Sequence, residues 1–130
     1  MNTLRFILLL AGSLLFAQKQ VLLEEIADHI GKKVKVCDKI YGTYIIPSNG
    51  LTLLNVGQPY PDNPLTLAIF KKDLKNFSYV PAEFLLDKSV CVTGKLVLFK
   101  GKPEIILNTE KDIEIQTEAM ETPGTEEAAD

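Results

Sequence analysis

The chain has 130 residues but only one histidine, His29, one arginine, Arg5, and two cysteines, Cys37 and Cys91. A single histidine leaves no Ser–His or Cys–His arrangement for nucleophilic catalysis. Two cysteines and a distant histidine do not complete a tetrahedral metal set. Asp and Glu occur singly along the body, so no carboxylate pair stands out as an acid–base couple. Lys100-Gly101-Lys102-Pro103 lacks the glycine spacing of a phosphate loop. The sequence therefore predicts no catalytic residue, no metal and no cofactor. The scarcity of arginine matters for ligands as well. Arginine is the preferred side chain for bidentate phosphate contact, so beyond Arg5 any such contact falls to lysines.

What is present is the composition of a folded protein: 46% apolar and 24% charged residues, in a length that suits one domain. The net charge of -3 conceals a division. Residues 31–115 hold twelve Lys against nine Asp or Glu, a net of +3, whereas residues 116–130 hold five acids and no base. The body is mildly basic and the tail acidic.

Residues 1–17 carry the parts of a secretory signal peptide. Arg5 gives positive charge near the start, Phe6–Leu10 and Leu14–Phe16 are apolar, and Ala17 is a small residue before Gln18-Lys19-Gln20. The uninterrupted apolar run is shorter than the roughly 20 residues that span a bilayer, and no Cys follows it for lipid attachment. Cleavage between Ala17 and Gln18 is predicted, which makes the protein periplasmic or secreted.

Residues 18–30 are predicted to contain a short helix over Val21–Ile30. Leu22, Leu23, Ile26, Ala27 and Ile30 fall on one face, Glu24 and Glu25 sit in the first turn, and Gly31 ends the helix. From there the period changes to that of strands. Val34, Val36 and Ile40 begin a run that continues through Tyr44–Ile46, and Ser48-Asn49-Gly50 is a turn signal. Leu51–Val56 is the second strand. Gly57–Pro64, with three prolines in eight residues, is a loop. Leu65–Phe70 is the third strand, helical turns are predicted near Asp73–Phe77 and after Pro81, and Val90–Phe99 is the fourth strand. Lys100-Gly101-Lys102 is a tight turn, and Pro103–Asn108 is the fifth strand. Ile113 and Ile115 offer a short final pairing. Residues 116–130 are small, polar and acidic, the composition of a disordered tail. The order predicts an all-β fold over residues 31–115, a five-stranded OB-type Greek-key barrel with a helical turn between strands three and four. An open β-sandwich with a helix is the alternative.

Several stretches carry a resemblance. Gly31–Ile40, Leu53-Leu54-Asn55-Val56-Gly57, Val90-Cys91-Val92-Thr93-Gly94-Lys95-Leu96 and Phe99–Ile105 together resemble OB-fold domains of the tRNA-anticodon type. The likeness is greatest to small exported bacterial OB-fold proteins described as DNA-binding, which share the Gly-x-Pro-Tyr-Pro loop present here as Gly57–Pro61. Leu53 stands where such domains often carry an aromatic residue, and Asp38 where glycine is common. The resemblance implies a ligand face on the second and third strands and their flanking loops.

Binding of a strand of nucleic acid needs cations along the backbone and aromatic faces for the bases. The candidates are Lys39, Tyr41, Tyr44, Lys71, Lys72, Lys100 and Lys102. The expected partner is single-stranded nucleic acid or another polyanion. The alternative is a protein-interaction or structural module that uses exposed strand edges or the loop Pro59–Pro64. In that case the lysines are simply the solvated side of their strands. Cys37 and Cys91 lie outside the inward series of strands one and four. If those strands are neighbours, the thiols face each other on one surface and can close a disulfide in an oxidising compartment; otherwise they are two isolated thiols.

Overall fold

The computed structural model describes residues 20–117. The signal peptide expected over residues 1–17 and nearly all of the acidic tail lie outside them. Among the described residues no helix is long and apolar enough to cross a membrane.

Six strands form the fold: β1 (Lys33–Ile45), β2 (Thr52–Val56), β3 (Leu65–Ile69), β4 (Ser89–Phe99), β5 (Lys102–Ile106) and β6 (Ile113–Ile115). Their pairings run β1–β2–β3–β5–β4 and return from β4 to β1. The fold is thus mostly β and OB-like, with its sheet curled back on itself, in place of the open sandwich. All pairings are antiparallel except β3 with β5.

The two long strands make this curl. Residues Lys33–Lys39 of β1 pair with β4, and from Ile40 onward the same strand pairs with β2, across a bulge between Ile40 and Gly42. Likewise β4 pairs with β1 through Lys95 and then with β5 from Leu96. The similar apolar spacing of the two strands has a structural meaning: Val34, Val36 and Ile40 of β1 and Val90, Val92 and Leu96 of β4 all face one core. Leu54, Val56, Leu65, Leu67, Ile69 and Ile105 fill it from the other strands, each almost fully buried. Burying side chains of this size contributes roughly 1.5–3 kcal/mol each.

The helical segments are short. Leu23–His29 is a 3-10 helix, not the α-type stripe expected over Val21–Ile30. With about three residues per turn, it brings Leu23 and Ile26 to the core and leaves Leu22 and Ala27 exposed. Gly31 follows with φ +91, and its N–H donates to the Leu96 carbonyl at 2.7 Å, so it ends the helix as expected. Between β3 and β4 stand a 3-10 helix, Lys71–Asn76, and one α-helical turn, α1 (Pro81–Phe84). The Thr43 hydroxyl donates to the Ala82 carbonyl at 2.9 Å, tying α1 to β1. The strands also begin and end a residue or two away from their expected bounds. Phe70, Leu107 and Asn108 lie beyond their strands, and Lys102 belongs to β5.

Cys37 and Cys91 are direct partners across β1 and β4, with Cα atoms 4.0 Å apart, and they are joined in a disulfide. The backbone bonds Ile40 N–H to Lys88 and Leu96 N–H to Lys32 place even-numbered β1 residues in hydrogen-bonded pairs. Cys37 therefore sits in a non-hydrogen-bonded pair, where facing side chains come closest. The pair points away from Val36, Val90 and Val92, as expected. It is not simply exterior, however: Cys91 is buried and Cys37 half-buried, because β6 runs along the other side of β4. Closing a loop of 54 residues stabilises the fold by about 4 kcal/mol on the chain-entropy model.

Candidate ligand-binding groove

Strand alternation decides which residues face outward across β1, β2, β3 and β5. Leu54 and Leu67 face the core, so their neighbours point away from it. The register then gives two outward rows. One is Tyr44, Leu53, Ala68 and Ile106; the other is Gly42, Asn55, Thr66 and Glu104. The first is apolar, the second polar.

A groove of about 630 Å³ opens on this face, within the range of ligand pockets. Tyr41, Gly42, Tyr44, Leu53, Asn55 and Tyr60 are among its lining residues. Tyr44 is 57% exposed and Tyr60 74%. The bulge next to Ile40 positions Tyr41. The loop from Gly57 to Pro64 presents Tyr60, whose peptide bond to Pro61 is cis. Asn63 anchors this loop, because its amide donates to the Leu65 carbonyl and to the Thr66 hydroxyl at 3.0 and 2.9 Å.

Three of the candidate lysines each stand over an aromatic ring. The Lys39 ammonium lies 4.9 Å from the Tyr41 ring, Lys100 lies 5.4 Å from Phe99, and Lys102 lies 6.0 Å from Tyr60. All belong to one end of the sheet, where the Gly57–Pro64 loop and the β4–β5 turn meet. Lys71 and Lys72 lie elsewhere. They follow β3 at the end where it meets the β1–β2 turn, and Lys71 packs against Gly50. The structure therefore gathers Lys39, Tyr41, Lys100 and Lys102 at one end of the sheet, with Tyr44 lining the same groove as Tyr41, and leaves Lys71 and Lys72 at the other end.

Tyr60, Phe99, Asn55 and Glu104 complete the surface and were not among the sequence candidates. An aromatic residue between two prolines was a readable signal for Tyr60. The outward direction of Asn55 and Glu104 follows only from the register. Burial alone holds the Glu104 carboxyl above the usual glutamate range. A second depression, about 370 Å³, lies on the β3–β4 connection among Leu74, Phe77, Ser78, Tyr79, Val80 and Pro81. Burial, and then nearby Glu110, raises the Tyr79 phenol there, while Glu110 accepts hydrogen bonds from Ser78 N–H and hydroxyl. Among the described residues no cluster of His, Cys, Asp or Glu is arranged to hold a metal.

No protein-family model matches the chain, and no curated protein does. Solved structures do resemble it in shape. The chain is similar to the OBody AM1L10 bound to hen egg-white lysozyme, with a TM-score of 0.55 at 18% identity over 78% of this chain and 96% of that one. It is similar to asparaginyl-tRNA synthetase from Pyrococcus horikoshii, with a TM-score of 0.51 at 15% identity over 76% of this chain. In the yeast Stn1 and Ten1 structure the match has a TM-score of 0.52 at 11% identity, covering 81% of this chain and 66% of that one. The match takes up only 23% of the Pyrococcus synthetase. These likenesses establish an OB-like fold, the arrangement that the strand pairings describe independently.

Proposed function

We propose that the chain is an exported, non-catalytic OB module, a Greek-key barrel that holds single-stranded nucleic acid in the groove beside Tyr41, Tyr44 and Tyr60. The observation that carries this reading is the pairing of each rim lysine with its own aromatic ring. A base stacked on such a ring brings its phosphate close to an ammonium already in place. Stacking is worth about 1–3 kcal/mol per base and tolerates any sequence. The synthetase likeness supports the reading, because it puts a domain of this shape in an enzyme of tRNA. The signal-like residues 1–17 and the Cys37–Cys91 disulfide fit an oxidising compartment outside the cytoplasm.

Fluorescence anisotropy with labelled oligothymidine at low salt tests the proposal. Tyr44→Ala and Tyr60→Ala are each expected to weaken binding about tenfold, whereas Lys71→Ala, away from the groove, leaves it nearly unchanged. If the unaltered protein does not bind at high micromolar concentration, the nucleic-acid reading fails. A protein partner is then favoured by the exposed apolar side chains Tyr44 and Ile106 on the same face and by the OBody's own complex with lysozyme. Strand edges bear on that second reading too: β2, β3 and β5 each have partners on both sides, whereas each half of β1 pairs with one strand only.

A further inference from the structure

Asn55 is 9% exposed and lines the groove. Among the described residues its side-chain amide has no hydrogen-bond partner, although the polar groups around it do: Asn63 and Thr66 bond to each other. A buried amide left unpaired is disfavoured by its lost hydration, and such groups in native folds call for an explanation. Gly42 supplies part of it. It stands directly across from Asn55 in the register, and a Cβ at position 42 would lie 3.2 Å from the Asn55 amide nitrogen. Only a residue without a side chain leaves the amide uncovered from that direction.

We infer that Asn55 reads the hydrogen-bonding edge of a nucleobase at the floor of the groove, so that the ligand is a base-bearing strand and not a polyanion in general. This inference rests on the nucleic-acid reading above and narrows it. An amide offers an acceptor oxygen beside a donor NH₂. Base edges present the complementary pair: the N6 amine and N7 of adenine, or the N3–H and O4 of thymine, free in a single strand. Phosphate and sulfate groups present acceptors alone, so a simple polyanion would leave the Asn55 oxygen unpaired. The surroundings suit a flat ring: Leu53 lies beside Asn55 in β2, and Tyr44 and Tyr60 line the same groove. Glu104, further along the same outward row, disfavours phosphate there and directs the backbone toward the lysine rim.

The test uses the whole chain, labelled oligothymidine, and unlabelled inorganic polyphosphate as competitor. Asn55→Leu keeps the side chain's shape and removes an unpaired amide, so its melting temperature is expected to equal or exceed that of the unaltered protein. Its affinity for oligothymidine is expected to fall about tenfold, with polyphosphate competing no worse than before. Gly42→Ala, which covers the amide and keeps Asn55, is expected to produce the same loss. If Asn55→Leu melts several degrees lower, the amide is structural and the inference fails. It also fails if both variants bind as the unaltered protein does, or if polyphosphate displaces the oligonucleotide at equal charge concentration. In those cases oligothymidine binding itself survives. Absence of binding by the unaltered protein instead removes the parent reading, and this inference with it.

Discussion

At Gly94 the backbone is ordinary, and the absence of a side chain is what counts. The residue lies in the inward series of β4 between Val92 and Leu96, and a Cβ there would sit 2.5 Å from Ile105 Cγ2. Gly94→Ala is therefore expected to lower stability by about 1–3 kcal/mol through overpacking, measured by chemical denaturation. Adding Ile105→Leu, which removes the branched methyl, should recover part of the loss, since contacting residues couple. Glu104 makes a pH-dependent contribution. Its folded-state affinity for a proton is raised by burial, so the native state binds more protons than the unfolded one in the window above the ordinary glutamate value. Stability from this group accordingly falls as pH rises through that window and is restored on acidification. Glu104→Gln should raise the melting temperature slightly at pH 7 and abolish this part of the pH dependence. The same charge opposes phosphate, so oligothymidine affinity should increase as pH falls toward the carboxyl's titration and should increase at pH 7 in the Gln variant.

At the level of elements, the β4–β5 hairpin shows a local conflict. Its two-residue turn has positive φ at both Lys100 (φ 51) and Gly101 (φ 79), with Phe99 and Lys102 paired around it. Such turns favour Asn-Gly, and a left-handed conformation costs a residue like lysine about 1–2 kcal/mol. Asn at position 100 relieves that cost and removes a rim cation. Lys100→Asn is thus expected to stabilise the fold by a few tenths to about 1 kcal/mol while weakening oligothymidine binding. A thermal melt and an anisotropy titration on the same sample check both directions. A gain in stability together with undiminished binding would remove Lys100 from the rim.

For the whole molecule the decisive quantity is the distribution of charge. The body carries a net of +3 and residues 116–130 five acids, so few phosphates are neutralised at once, and the acids bear the same sign of charge as the proposed ligand. Removal of residues 117–130 is expected to tighten oligothymidine binding. The logarithmic salt slope should be shallow, roughly -0.7 for each phosphate contacted on a single strand. Titrations at several salt concentrations with and without the tail measure both. An unchanged affinity without the tail would show that the acids do not reach the groove.

Much of the architecture was legible along the chain because it is written in local period. Val34, Val36 and Ile40, and Val90, Val92 and Leu96, announce inward faces by alternation alone, and Ser48-Asn49-Gly50 and Lys100-Gly101 announce their turns. The helix before Gly31 was legible in place but not in pitch, because its seven residues take the 3-10 period that packing against β1 allows. The pairing of Cys37 with Cys91 was readable only as an alternative, since a disulfide depends on register between strands 54 residues apart. The groove was the least legible part. Lysines and tyrosines could be named as candidates, yet nothing local separates Lys39 and Lys102 from Lys71 and Lys72. That distinction arises when β3 aligns parallel to β5 and brings the β4–β5 turn beside the Gly57–Pro64 loop. Asn55, like Thr52, reads as a polar residue in a mostly apolar strand until β1 bulges and sets Gly42 across from it. Period and turn chemistry belong to neighbours in the chain, and so the sequence by itself determined the strands. Which side chains share a surface depends on register across long loops, and that only the tertiary structure decided.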